Sequence, residues 1–157
     1  MLNLKIVSES RDTSQLDQIA RECVNQSAKE IIGKQLKLDI DVQSYLPSSI
    51  DLSWLKQAML KMLNLAIERS PDRSEIQLTA CCVGDAIELE VADSGDTLNS
   101  DSIAFRHSCS YNFGPIAREL LASVQSRGAE FWGTCCPQGG MAWTLRMPLR
   151  MAMTKAA

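Results

Sequence analysis

The chain has 157 residues, 45% of them hydrophobic and 22% charged, which suits one domain with a sizeable core and leaves little room for two, since single domains most often run to roughly 100–150 residues. Sixteen basic and nineteen acidic side chains, interspersed along the chain, give a net charge of −3, a balance that excludes a broad nucleic-acid or anionic-membrane surface. No apolar run approaches the roughly 20 residues that cross a bilayer, and the start MLNLKIVSES lacks the basic head and apolar middle of a secretion signal, so a cytoplasmic protein is expected.

Residues 2–9 read as a short strand with Leu2, Leu4 and Ile6 at alternate places. Thr13 or Ser14 can cap a helix that runs to Gly33, with Leu16, Ile19, Ala20, Cys23, Ala28, Ile31 and Ile32 mostly at the spacing of one helical face. Leu36, Leu38, Ile40 and Val42 alternate with Lys37, Asp39 and Asp41, as in a strand with one wet face. From Leu52 to Arg69 an apolar stripe recurs at helical period, and Ser70-Pro71 ends it, because the residue before proline is pushed away from helical angles. Glu75–Val83 and Ala86–Ala92 form a hairpin around the tight-turn pair Gly84-Asp85.

Residues 94–112 are polar and aperiodic, a loop long enough to suggest a lid or binding segment. A helix follows from Pro115 to Gly128, then two strands, 130–136 and 141–147, around the turn Pro137-Gln138-Gly139-Gly140, with a frayed tail at 151–157. The order β-α-β-α-β-β-loop-α-β-β predicts one α+β (α/β) two-layer domain over residues 1–150: a mixed, mostly antiparallel sheet of about five or more strands with three helices on one face.

The cysteines are Cys23, Cys81, Cys82, Cys109, Cys135 and Cys136, and none form C-x-x-C. Neighbouring cysteines on a strand point to opposite faces, so neither adjacent pair can clamp a metal within its strand, and buried reduced thiols are expected.

LKQAMLKMLNLAIERSP and VADSGD, together with PIARELLASVQSRGAEFW and GGMAWTLRMPL, resemble the ATP-binding domain of sensor histidine kinases, part of the wider group that includes gyrase, a heat-shock chaperone and mismatch-repair ATPases. The resemblance covers residues from about 16 to 149. It implies the Bergerat-type ATPase fold, ATP or ADP as ligand, and a response regulator or other signalling protein as partner. In that family an aspartate after the hairpin accepts the adenine amino group and a glycine two residues later lets backbone approach the ring; Asp93 and Gly95 fill those places. Without the family context, Asp-Ser-Gly is a common turn string.

The phosphate end departs from the pattern. Two asparagines four residues apart on the family helix are replaced by Lys61 and Leu65, and a leucine offers no oxygen to Mg²⁺. Asn64 is one residue off, about 100° around the helix. Lys61 has no acidic residue three or four positions away on its helix, so it reads either as a solvated lysine or as a cation that neutralises phosphate in place of the metal, with Arg69 beyond it either helping or merely exposed. Of the lid glycines only Gly114 remains, off register, with bulky Tyr111 and Phe113 beside it, and Met141 and Ala142 replace the small hydroxylated residue expected after the final turn glycine. The one histidine, His107, lies in the loop and is followed by serine rather than the acidic residue that accompanies a phosphoacceptor, so it reads as a surface imidazole and the chain as a fragment or free-standing relative rather than a complete kinase.

Two functions follow as expectations. The first is an ATPase-like signalling domain that keeps an adenine pocket, binds nucleotide weakly or without metal, and has negligible phosphoryl transfer. The second is a pseudokinase-like adaptor that docks a response regulator, a sigma factor or its own partner subunit as a possible dimer, with Tyr111, Phe113 and Trp132 as anchors. A small-molecule sensor ranks third.

Overall fold

The structure, a computed structural model, describes residues 4–6, 15–43, 51–96 and 114–149. The elements are β1 (Leu4–Ile6), α1 (Gln15–Gln26), α2 (Ala28–Gly33), β2 (Lys37–Val42), α3 (Leu52–Arg69), β3 (Glu75–Val83), β4 (Ala86–Ala92), α4 (Gly114–Ser126), β5 (Glu130–Cys135) and β6 (Met141–Pro148). The six strands form one mixed sheet in the order β1-β2-β3-β4-β6-β5, with β1, β2 and β3 parallel and the remaining pairs antiparallel. The helices share one face, as expected. The polar loop, the aromatic pair Tyr111 and Phe113, His107, Cys109 and the tail lie outside the described residues.

Strand alternation explains why one face suffices. Leu38 and Ile40, Ile76 and Leu78, Leu89 and Val91, and Trp143 and Leu145 are all buried and sit in register across β2, β3, β4 and β6, while their neighbours Asp39, Gln77, Glu90 and Thr144 belong to the other face. On the helical side α3 presents Leu55, Met59, Met62, Leu63 and Ala66 with no measurable exposure. Each large side chain buried in this way contributes roughly 1.5–3 kcal/mol.

Local chemistry sets the bounds of α3. The Asp51 carboxylate accepts from the Trp54 N–H at 3.1 Å and caps the start. At the other end Ser70, held extended by Pro71, stops the helix, and Lys34 Nζ donates to the carbonyls of Ile67 and Ser70 at 2.7 and 3.0 Å, placing a cation on the negative end of the helix dipole.

Two expectations need correction. The first helix is broken at Ser27 into α1 and α2, since Ser27 leaves helical angles and its side chain is committed to α3. The reversal after α2 uses Gln35, at φ 54°, rather than Gly33. Among the described cysteines only Cys23 is buried, and burial pushes its thiol up to about 11; Cys81, Cys82, Cys135 and Cys136 are partly exposed at or near strand ends.

Candidate functional site

Asp93 follows directly on β4, at the end of the sheet where the β5–β6 turn and the last turn of α3 converge. Its side chain is 0% exposed. Oδ1 accepts from the backbone N–H groups of Gly95 and Met141 at 2.9 and 3.2 Å. Oδ2 accepts from Arg69 Nε and Trp143 Nε1 at 2.8 and 2.9 Å. An ionised carboxylate has about four acceptor positions, so these four donors use its full capacity.

Arg69 is fixed on three sides. Besides Asp93 it donates from Nη2 to the Asp96 carbonyl at 2.8 Å, and its guanidinium lies over the Trp143 ring, 5.6 Å from the centroid, a cation–π distance. Trp143 is held in turn by Phe131, stacked at 6.0 Å, and by Gly133, where a Cβ would come within 2.9 Å of the indole.

The glycines around Asp93 are required by close backbone approach. A Cβ on Gly140, at φ +87°, would fall 1.9 Å from the Asp93 carbonyl oxygen, and one on Gly95 would fall 2.6 Å from the Arg69 carbonyl oxygen. Gly95 therefore lets backbone approach the end of α3. This turn-like role suits the plain Asp-Ser-Gly string.

The sequence-assigned phosphate end is elsewhere and differently made. Asn64 lines an open cleft of about 340 Å³ together with Ser27, Glu30, Leu60, Glu68 and Ile116. Ser27 Oγ donates to Asn64 Oδ1 at 2.9 Å across the α1–α2 break. Glu30 and Glu68 are exposed, without an ion-pair partner among the described residues. Gly114 is the first residue of α4, two positions before Ile116.

Lys61 does have an ion-pair partner, but on another helix: Glu119 of α4, at 3.4 Å with the two side chains 37% and 67% exposed. It is neither a lone solvated lysine nor aimed into the Asn64 cleft, whose lining does not include it. Leu65, which the resemblance in sequence sets at the place of a metal-binding asparagine, is 3% exposed within the core.

Among the described residues Asp93 has no acceptor position left over, the cleft beside α4 carries two carboxylates, and Leu65 supplies no oxygen. Among the described residues no group of three His, Cys, Asp or Glu side chains could hold a metal ion, and no helix is long and apolar enough to cross a membrane.

Sequence reasoning missed two contributors. The sequence leaves Arg69 either near phosphate or merely exposed, and the structure places its guanidinium on Asp93. Trp143 was not singled out, although a buried indole N–H needs an acceptor and a buried carboxylate needs donors.

No protein-family model matches the chain, and no curated protein matches it significantly. Solved structures do. The catalytic domain of the histidine kinase ThkA is similar with a TM-score of 0.72 at 16% identity, over 85% of this chain and 92% of that one. The Acinetobacter baumannii histidine kinase AdeS gives a TM-score of 0.71 at 12% identity, over 87% and 66%. ThkA in complex with its response regulator protein TrrA gives 0.71 at 15% identity, over 86% and 40%. The fold is that of histidine-kinase catalytic domains.

Proposed function

We propose that this chain is a signalling domain of histidine-kinase fold that works by docking a protein partner and neither binds nucleotide productively nor transfers a phosphoryl group. The observation that carries this reading is the closure of Asp93 on four donors of its own chain. An adenine amino group could bond Asp93 only by displacing one of them. Losing a hydrogen bond to a charged group costs roughly 1.5–3 kcal/mol, and moving Arg69 away leaves a buried carboxylate uncompensated, a loss of about 3–5 kcal/mol. One base contact returns at most the first of these.

This geometry supports the second of the two expectations from sequence over the first, in which an adenine pocket is retained and only the metal end is lost. The phosphate end adds to the case, since Glu30 and Glu68 repel a triphosphate and Leu65 cannot assist a metal. A response regulator or comparable signalling protein is the proposed class of partner. The fold similarity includes ThkA, whose structure with TrrA gives such an assembly for that protein.

Calorimetry and thermal shift with ADP and a nonhydrolysable ATP analogue, each with and without Mg²⁺, test the proposal. No response at millimolar ligand is expected. Saturable, magnesium-dependent stabilisation of the unmodified chain sinks it, because Asp93 and Leu65 would both have been misjudged.

A further inference from the structure

We infer that Arg69 is the specificity-determining residue of the Asp93 site: the site is built as a receptor for a planar guanidinium, and the chain supplies that group itself, closing the site to outside donors. The inference rests on the reading above for its functional consequence, but its geometry stands alone.

Three groups among the described residues match a guanidinium. A fully buried carboxylate oxygen receives Nε at 2.8 Å, the Asp96 carbonyl receives Nη2 at 2.8 Å, and the Trp143 ring lies beneath the cation. A guanidinium is planar, carries donors in a rigid fork and is weakly hydrated, so it meets carboxylate and carbonyl from two nitrogens while lying on the aromatic face; an ammonium has one nitrogen from which to reach both oxygens. The Trp143 N–H that shares Oδ2, and the Gly95 and Met141 amides on Oδ1, hold the carboxylate in place whether or not Arg69 is present. Arg69 enters from the surface, with a side chain 19% exposed, so truncating it opens a path from solvent. The vacated position offers one carboxylate acceptor beside an aromatic face, which suits the amino edge of a nitrogen heterocycle.

The test compares the full chain with Arg69→Ala, using methylguanidinium and methylammonium, and separately adenosine and inosine, as probes. Adenosine has no phosphates, so repulsion by Glu30 and Glu68 does not enter, and inosine lacks the exocyclic amino donor. Methylguanidinium at low millimolar concentration is expected to raise the melting temperature of Arg69→Ala, or to restore a cooperative melt if the variant is unfolded without it, by ordinary ligand linkage. Methylammonium is expected to do neither, and the wild type to respond to neither compound. In calorimetry, Arg69→Ala is expected to bind adenosine at least roughly tenfold more tightly than wild type does, and more tightly than it binds inosine, because a site that pairs a donor rejects the analogue without it.

Failure of methylguanidinium to rescue the variant, equal rescue by methylammonium, or adenosine binding no better than in wild type overturns the inference. Adenosine binding by the wild type is a different failure: it defeats the proposed function, while the rescue comparison still decides the role of Arg69.

Discussion

At Asp93 the buried carboxylate is shared among the end of α3, the turn after β4 and the start of β6, beside a cleft of about 310 Å³ lined by Glu75, Gln77, Ser94 and Cys136. Around Asn64 the surface is open, and Glu30 and Glu68 stand at its rim without ion-pair partners among the described residues. The sequence assigns both regions to one ligand. Their difference teaches that a residue matching a binding motif in sequence can be occupied by its own chain in the fold. Once its acceptors are taken up inside the protein, Asp93 joins three elements, and its removal is opposed by folding alone.

The largest expected effect tests that structural role directly. Asp93→Ala strands Arg69 beside an empty acceptor position and leaves the Trp143, Gly95 and Met141 donors unsatisfied, so urea unfolding should show a loss of about 3–5 kcal/mol. A carboxylate waiting for a ligand would instead be replaceable with little change in stability, and that result would erase the contrast between the two regions. Trp143→Phe keeps the ring stacked on Phe131 but deletes the indole donor to Asp93, and the same measurement should show about 1.5–3 kcal/mol. At the open end, Lys61→Ala removes an exposed pair with Glu119 and should change stability by less than about 1 kcal/mol. A larger loss there would mean that the α3–α4 contact is more tightly built than its exposure suggests.

Legibility in the sequence followed the range of the interactions involved. The bounds of α3 and of the β3–β4 hairpin could be read because Asp51, Ser70-Pro71 and Gly84-Asp85 act within a few residues of themselves. The break at Ser27 could not, because the serine side chain bonds Asn64, 37 positions away. Arg69 is similar. On its helix it is one more cation in the last turn, and only the fold brings it to Asp93, 24 positions on, and to the face of Trp143. The residue types carried a partial signal, since a tryptophan on the apolar face of one strand and an aspartate at the end of another both need polar partners, but nothing local pairs them.

The order of the elements after the first helical segment, the face each central strand buries and the absence of an oxygen donor at Leu65 are properties of the sequence by itself, because periodicity, turn chemistry and side-chain composition act locally. Which donors reach the Asp93 carboxylate, and hence whether it faces a ligand or the protein, was decided only by the tertiary structure. Hydrogen bonds extend about 3 Å, and only the packing of α3 against the sheet end brings groups from three separate elements within that distance.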